Sequence, residues 1–237
     1  MWLFRRTATL MESALFMGMV DCHSHLLPGV DDGVQTLEES LQLLHQMEQL
    51  GVRRVWLTPH VMEDIPNETL SLQKHFQTLK ESYQGRVEIQ LAAEYMLDNL
   101  FEERLENNDL LPLEEGKRYL LVETSYFNPP MGLLSTLQRI QEKGYYPLLA
   151  HPERYEYMQT KDYQTLKDEH ISFQLNLPSL AGMYGKRVQK KAETLLLAGN
   201  YVLLGCDTHS AASYQRILCG RVCNSSLRYV LQQFNHF

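Results

Sequence analysis

Long apolar runs are missing from this 237-residue chain. Its most apolar stretches, LLLAG around residue 197 and YVLLGC at 201–206, fall far short of the roughly 20 residues a membrane-spanning helix needs, so no transmembrane helix is expected. Cysteine is scarce: Cys22, Cys206, Cys219 and Cys223 make no disulfide framework in a chain of this size, and no CxxC pair suggests structural zinc. A reducing, cytoplasmic compartment is expected. Positive charge is in deficit, with 22 Lys+Arg against 29 Asp+Glu for a formal charge of −7. The basic stripe with which a nucleic-acid binder neutralises phosphates is therefore absent, although a small basic patch in a pocket is compatible with that total. No Ser/Gly-rich linker, low-complexity tract or internal repeat divides the chain, and the expected organisation is an N-terminal arm over 1–16 followed by a single domain over 17–237.

The arm opens MWLFRRTATL, and its apolar run is broken by Glu12 and Ser13 without a clean cleavage site, so it reads as retained rather than as a signal peptide. Trp2, Leu3, Phe4, Arg5 and Arg6 have two readings: an arm packed on its own domain, or a peripheral contact with a membrane surface or partner.

From residue 17 onward, short β-rich runs alternate with helical patterns. Strands are expected over 17–22, 53–58, 87–93, 119–123, 146–150, 171–176 and 201–206. A helix between the first two is marked by a capping box of Thr36 with Glu39, by Leu37, Leu41, Leu44 and Met47 at helical spacing, and by Gly51 at its end. Similar patterns end near Tyr83, Gly144 and Gly199. Strand followed by helix, repeated, implies parallel strands, and runs such as YLLV and YVLL suit strands buried on both faces. Seven such units suggest a closed or nearly closed α/β barrel, with an open doubly wound sheet as the alternative.

Nearly every expected strand ends in residues able to bind metal. The first runs into Asp21-Cys22-His23-Ser24-His25, the second into Thr58-Pro59-His60, the third into Glu94, the fourth into Glu123, the fifth into His151-Pro152-Glu153-Arg154 and the seventh into Asp207-Thr208-His209. Only the sixth lacks one. His23 and His25, two apart, project to the same side of a strand, and Asp207 and His209 repeat the arrangement. In a parallel barrel these residues gather at the C-terminal rim, where barrel enzymes carry their active sites. A single His at a strand end is more often structural than a ligand, but five of the nine histidines share this pattern with acids at matching positions. His45, His75, His170 and His236 are assigned to surface or packing.

Imidazole and carboxylate without thiolate favour manganese, iron or zinc in a non-structural site. There are more ligands than one ion can use, and clustered divalent ions are the usual device for phosphoryl chemistry. Arg154 supplies a guanidinium that can grip phosphate oxygens, its alternative being a surface salt bridge. A thiolate phosphatase needs an arginine six residues after its cysteine, whereas Pro28, Ala212, Ser225 and Tyr229 stand there. Cys22 and Cys206 are expected to face the surrounding helices.

The motifs DCHSHLLPGVDDG, TPH, AAEY, HPERY and GCDTH, in this order across residues 21–209, resemble the PHP (polymerase and histidinol phosphatase) superfamily. Within it the chain is most similar to the manganese-dependent protein-tyrosine phosphatases of bacterial capsule and exopolysaccharide loci. The resemblance implies a distorted seven-stranded TIM-like barrel with three divalent ions, manganese before iron or zinc. His23, His25, Glu94 and Asp207 would hold the first; Glu94 as a bridge, Glu123 and His151 the second; Asp32, His60 and His209 the third. Chemistry alone does not separate Asp31 from Asp32; Asp32 matches the family's position. Arg154 falls where this branch carries its phosphate-gripping arginine. Other PHP branches often place histidine where this chain has Glu123, which argues against histidinol phosphatase.

The implied reaction is hydrolysis of phosphotyrosine by an activated water without a phosphoenzyme, on the tail of a membrane-bound bacterial tyrosine kinase controlling polysaccharide export. Phe127 and Tyr155, with Tyr126 and Pro129, are candidate walls for the tyrosine ring. Two rival readings are a small-molecule phosphatase or phosphodiesterase on the same metal site, with Glu153 as an amine-binding group, and a catalytically silent metal-stabilised adaptor. The adaptor's expected signature, a missing ligand, is not found.

Overall fold

The computed structural model describes residues 6–234, so Trp2 to Arg5 and His236 lie outside the described residues. Strands Val20–Asp21, Arg54–Leu57 and Glu88–Leu91 pair in parallel. Their continuations, His60–Val61 and Glu94–Met96, enter a second sheet with Arg118–Glu123, Tyr146–Leu149, Ser172–Asn176 and Tyr201–Gly205, again parallel along this path. Hydrogen bonds carry the last strand back to the first: Cys22 N–H to Leu204 O at 3.0 Å, Asp207 N–H to His23 O at 2.7 Å, and His25 N–H to Thr208 O at 2.9 Å. Each expected run contains a strand, although the first, expected over 17–22, shortens to Val20–Asp21, and the result is a barrel-like parallel α/β fold.

Close approach of the first and last strands restricts residue 205. A Cβ there would lie 2.4 Å from the His23 Cβ, so only glycine lets the backbone of Gly205 pass beside that side chain.

Two apolar layers result. The larger joins strand residues such as Val55, Leu120 and Phe173 to helix residues such as Leu43, Met47, Leu79, Ile140 and Leu196. A smaller cluster of Cys22, Trp56, Ala92, Tyr119, Leu121, Leu148 and Ala150 comes from alternate strand positions and fills the space the strands enclose. Cys22 therefore faces this inner cluster and not the helices, contrary to expectation, on the same side as Val20 two residues before it; Cys206 packs in the outer layer as expected.

Helices form at Leu37–Gln49, Thr69–Ser82, Leu133–Glu142 and Gly185–Leu197 as the apolar spacing predicts. The shorter Asn99–Asn107, Thr160–Asp168 and Ala211–Cys219 were not foreseen. Thr36 caps Glu39 N–H at 3.2 Å, but the reciprocal half of the predicted capping box is replaced. The Glu39 carboxylate instead accepts Ala211 N–H at 3.0 Å, where it caps the first turn of another helix and opposes the positive end of that helix's dipole.

Residues Thr7–Thr9 pair antiparallel with Arg221–Cys223, and Leu10, Leu15 and Phe16 are buried in the outer core. The closing stretch is thus a strand followed by the helix Asn224–Phe234. No helix among the described residues is long and apolar enough to cross a membrane.

Candidate metal and phosphate site

The strand-end residues converge. Four groups of ligand atoms lie close enough to hold ions: His25, Asp32, His60 and His209; His23, His25 and Asp207; His23, Glu94 and His151; and His60, Glu94 and Glu123, with the atoms of each group within 4.8 Å of one another. All nine sequence candidates for metal are brought together. Glu94 presents one oxygen to His23 Nε2 at 3.1 Å and the other to His151 Nε2 at 3.0 Å, the geometry of a bridging carboxylate. Two members, His151 (φ 34°) and Asp207 (φ 51°), adopt left-handed backbone, which is uncommon for residues with a Cβ and tends to be kept at functional sites.

Asp31 and Asp32 separate by role. Asp32 Oδ1 lies 3.5 Å from both His60 Nε2 and His209 Nε2. Asp31 instead accepts His25 Nδ1–H at 2.8 Å, Gly33 N–H at 2.9 Å and His60 N–H at 3.0 Å, so it orients a histidine and ties two loops.

The sixth strand, which reads as empty, supplies two orienting amides. Gln174 Oε1 lies 3.1 Å from His23 Nδ1 and accepts His151 N–H at 3.2 Å, and Asn176 Nδ2 donates to Asp207 Oδ2 at 3.2 Å. Neutral amides two apart at a strand end give no charge signal; their only mark is the same spacing as in His23 and His25.

Hydrogen bonding tests whether a cation fits. With Nδ1 of His23 and His25 turned to the oxygens of Gln174 and Asp31, both rings aim Nε2 inward, and these nitrogens lie 3.2 Å apart. Two lone pairs at that distance repel, so a positive charge must sit among them. In the metal-free protein a proton serves: burial opposes it, but Glu94 and Asp207 outweigh burial and hold the His23 pKa up at about 10. His60 follows at about 9, where burial is outweighed by Glu123 and Glu94. The acids move the other way. A hydrogen bond from His209 draws Asp32 to about 2; for Glu94 and Asp207, burial is overcome by the surrounding histidines and both carboxyls lie below their usual range. His60 Nδ1, 3.3 Å from an oxygen of Glu94 and from one of Glu123, adds to the fit. The donor set is oxygen and imidazole, suited to divalent ions other than thiolate-bound zinc.

Arg154 stands at the edge of this cluster. Its Nη1 donates to Asp207 Oδ2 at 3.0 Å, and its guanidinium carbon lies 4.3 Å from the ring centres of both Tyr126 and Tyr184. Tyr184 was not foreseen, since it comes from a distant segment. Phe127 is 68% exposed. Tyr155 is not such a wall: it is fully buried, its hydroxyl accepts Thr124 N–H at 3.2 Å, and its ring stacks between Tyr126 and Tyr157. It supports Tyr126 from behind. Glu153 is also buried and holds Asn176 N–H at 3.2 Å and the Tyr201 hydroxyl at 3.0 Å, so its carboxylate is already occupied by the fold.

The family model described as "Capsular polysaccharide synthesis, CpsB/CapC" matches residues 19–224. Among curated relatives, the tyrosine-protein phosphatase YwqE of Bacillus subtilis is 28% identical over 204 residues, covering 81% of this chain and 78% of that protein. The tyrosine-protein phosphatase CpsB of Streptococcus pneumoniae is 28% identical over 214 residues, covering 82% and 84%. A solved structure from work on YwqE and CpsB, described as metal-dependent tyrosine phosphatases, superposes with a TM-score of 0.77 at 24% identity, covering 92% of this chain and 87% of that one.

Proposed function

Because the chain belongs to the capsular polysaccharide synthesis CpsB/CapC family, we propose that it is a metal-dependent phosphoric monoester hydrolase that removes phosphate from tyrosine side chains of proteins, the activity its relatives are named for. The observation that carries this reading is the placement of the Arg154 guanidinium against the histidine and carboxylate clusters, 3.0 Å from Asp207. An anion-gripping fork beside a multi-ligand cation site is what a phosphate ester needs.

In the assignment we favour, His23, His25, Glu94 and Asp207 hold one ion, Glu94, Glu123 and His151 a second, and Asp32, His60 and His209 a third, with manganese preferred over iron or zinc. Bound ions would supply Lewis acidity toward the phosphate oxygens and a water acidic enough to attack phosphorus. The chain's own residues do the rest. Arg154 pairs with phosphate oxygens through two parallel N–H groups, a geometry that an ammonium cannot offer. Tyr126 and Tyr184 keep that fork flat and face-on. Asp31 and Gln174 lock the rings of His25 and His23, and Phe127 offers an exposed face to the substrate ring. Cys22 and Cys206, the thiols next to ligands in the sequence, take no part, since both are buried and burial pushes both well above the ordinary thiol range.

The family's connection with capsule synthesis points to a phosphorylated tyrosine kinase at the bacterial membrane as the natural substrate, met from the cytoplasm. Steady-state kinetics of the manganese-loaded protein on phosphotyrosine peptides, phosphoserine peptides and histidinol phosphate tests the reading. Phosphotyrosine should be turned over fastest, and equal or better turnover of either rival would sink it.

A further inference from the structure

Outside the site, helices Thr160–Asp168 and Gly185–Leu197 flank a groove of about 540 Å³ whose lining includes Lys167, Arg187, Lys190 and Lys191 and no carboxylate. In a chain of formal charge −7, four cations around one cavity are a local reversal of sign. Two of them are tied at their ends: Lys191 donates to Tyr155 O at 2.6 Å, and Arg187 donates to Glu156 O at 3.3 Å and lies 3.7 Å from the Glu156 carboxylate. Among the described residues, the ammonium groups of Lys167 and Lys190 make no ion pair. Apolar surface is present too, since Met158 and Tyr163 contribute to the lining.

The groove adjoins the site through the segment that carries Arg154. Tyr163 OH donates to Pro152 O at 3.0 Å, and the helix with Lys190 follows directly on Tyr184, which stacks on Arg154. Arg154 and Met158 are four residues apart, at most about 14 Å of chain. An extended peptide with its phosphotyrosine on Arg154 reaches the groove within about five residues.

We propose that this groove binds an anionic stretch of the substrate polypeptide flanking the phosphotyrosine, its carboxylates or further phosphates meeting Lys167 and Lys190 while an apolar residue lies against Met158 and Tyr163. The proposal rests on the phosphotyrosine reading and adds to it a preference for acidic or multiply phosphorylated sequence. Charge complementarity of this kind favours encounter and weakens with salt.

The test compares the manganese-loaded full chain and its Lys167→Glu/Lys190→Glu variant on free phosphotyrosine, on a phosphotyrosyl peptide with neutral flanks, and on the same peptide with a run of glutamates within about five residues of the phosphotyrosine. Wild type should show a KM roughly three- to tenfold lower for the acidic peptide. The variant and high salt should abolish that advantage, with free phosphotyrosine turned over as before. An equal KM for both peptides, or an advantage that survives in the variant, would overturn the proposal. If free phosphotyrosine is not hydrolysed at all, the enzymatic reading fails separately. The groove is then decided by fluorescence anisotropy of the labelled acidic peptide: loss of binding in the variant supports it, and equal binding refutes it. Lysine-dependent retention on phosphatidylserine vesicles without any peptide preference would assign the patch to a membrane instead, against the proposal.

Discussion

Arg154 Nη1 lies 3.0 Å from Asp207 Oδ2, and the other oxygen of the same carboxylate lies 3.5 Å from both His23 Nε2 and His25 Nε2. One aspartate thus connects the anion clamp to the cation cluster. Whatever phosphate Arg154 holds is held in register with the ligands.

Replacing Arg154 should therefore separate binding of metal from turnover. Arg154→Ala is expected to lower kcat/KM on phosphotyrosine by about 100- to 1000-fold, while metal content measured by plasma emission stays at the wild-type level. Arg154→Lys should recover only part of the loss, because it lacks the planar fork. Full activity of the alanine variant would remove the clamp from the mechanism.

Tyr126 and Tyr184 sandwich the guanidinium, each at 4.3 Å. Tyr126→Leu and Tyr184→Leu should each reduce kcat/KM by about 3- to 30-fold, the worth of one cation–π contact, through KM more than kcat, and Phe at either position should restore it. Chelator competition should show unchanged metal affinity in both leucine variants.

Gln174 orients His23 and supports the backbone of His151. Gln174→Leu keeps the bulk and removes the acceptor; metal affinity should fall about 10- to 100-fold, as for other residues that orient a ligating histidine. Titration calorimetry checks this, and an unchanged affinity would make Gln174 a packing residue.

The metal-free protein should lose stability in alkali. An unfolded histidine has a pKa near 6.5 (roughly), whereas folded His23 and His60 are held at about 10 and about 9. The folded state therefore binds protons that the unfolded state has released. Their stabilising contribution is complete below the unfolded value, falls as pH rises through that window, and is gone above the folded values. Calorimetry with chelator should show Tm declining from neutral pH toward pH of about 10, and saturation with manganese should flatten the decline because a divalent ion replaces those protons.

Strand ends rich in His, Asp and Glu made the metal cluster legible in the sequence, because charge and imidazole stand out against apolar β runs. What stayed hidden has a common cause: it depends on partners far apart along the chain. Gln174 carries no charge, and its role exists only once His23 is beside it. Tyr155 shares the HPERY motif with Arg154, yet the turn at Pro152–Arg154 sends one side chain to the site and buries the other. Glu39 has the spacing of a capping box, but a helix start 172 residues away competes for its carboxylate. Cys22 follows strand parity into the interior, which the adjacent ligands obscured.

The hydrogen bonds that return the last strand to the first have a consequence for biosynthesis. Asp207 and His209, and the backbone atoms of Leu204 and Thr208 that fix the first strand, are made long after His23 and His25. Contacts of such long sequence separation form late and slow folding. A nascent chain therefore exposes imidazoles with no complete cage, and a product truncated before residue 207 would lack the carboxylate that links cation cluster and clamp. The ligand cluster is complete only in a chain that includes both its first and its seventh parallel strand ends.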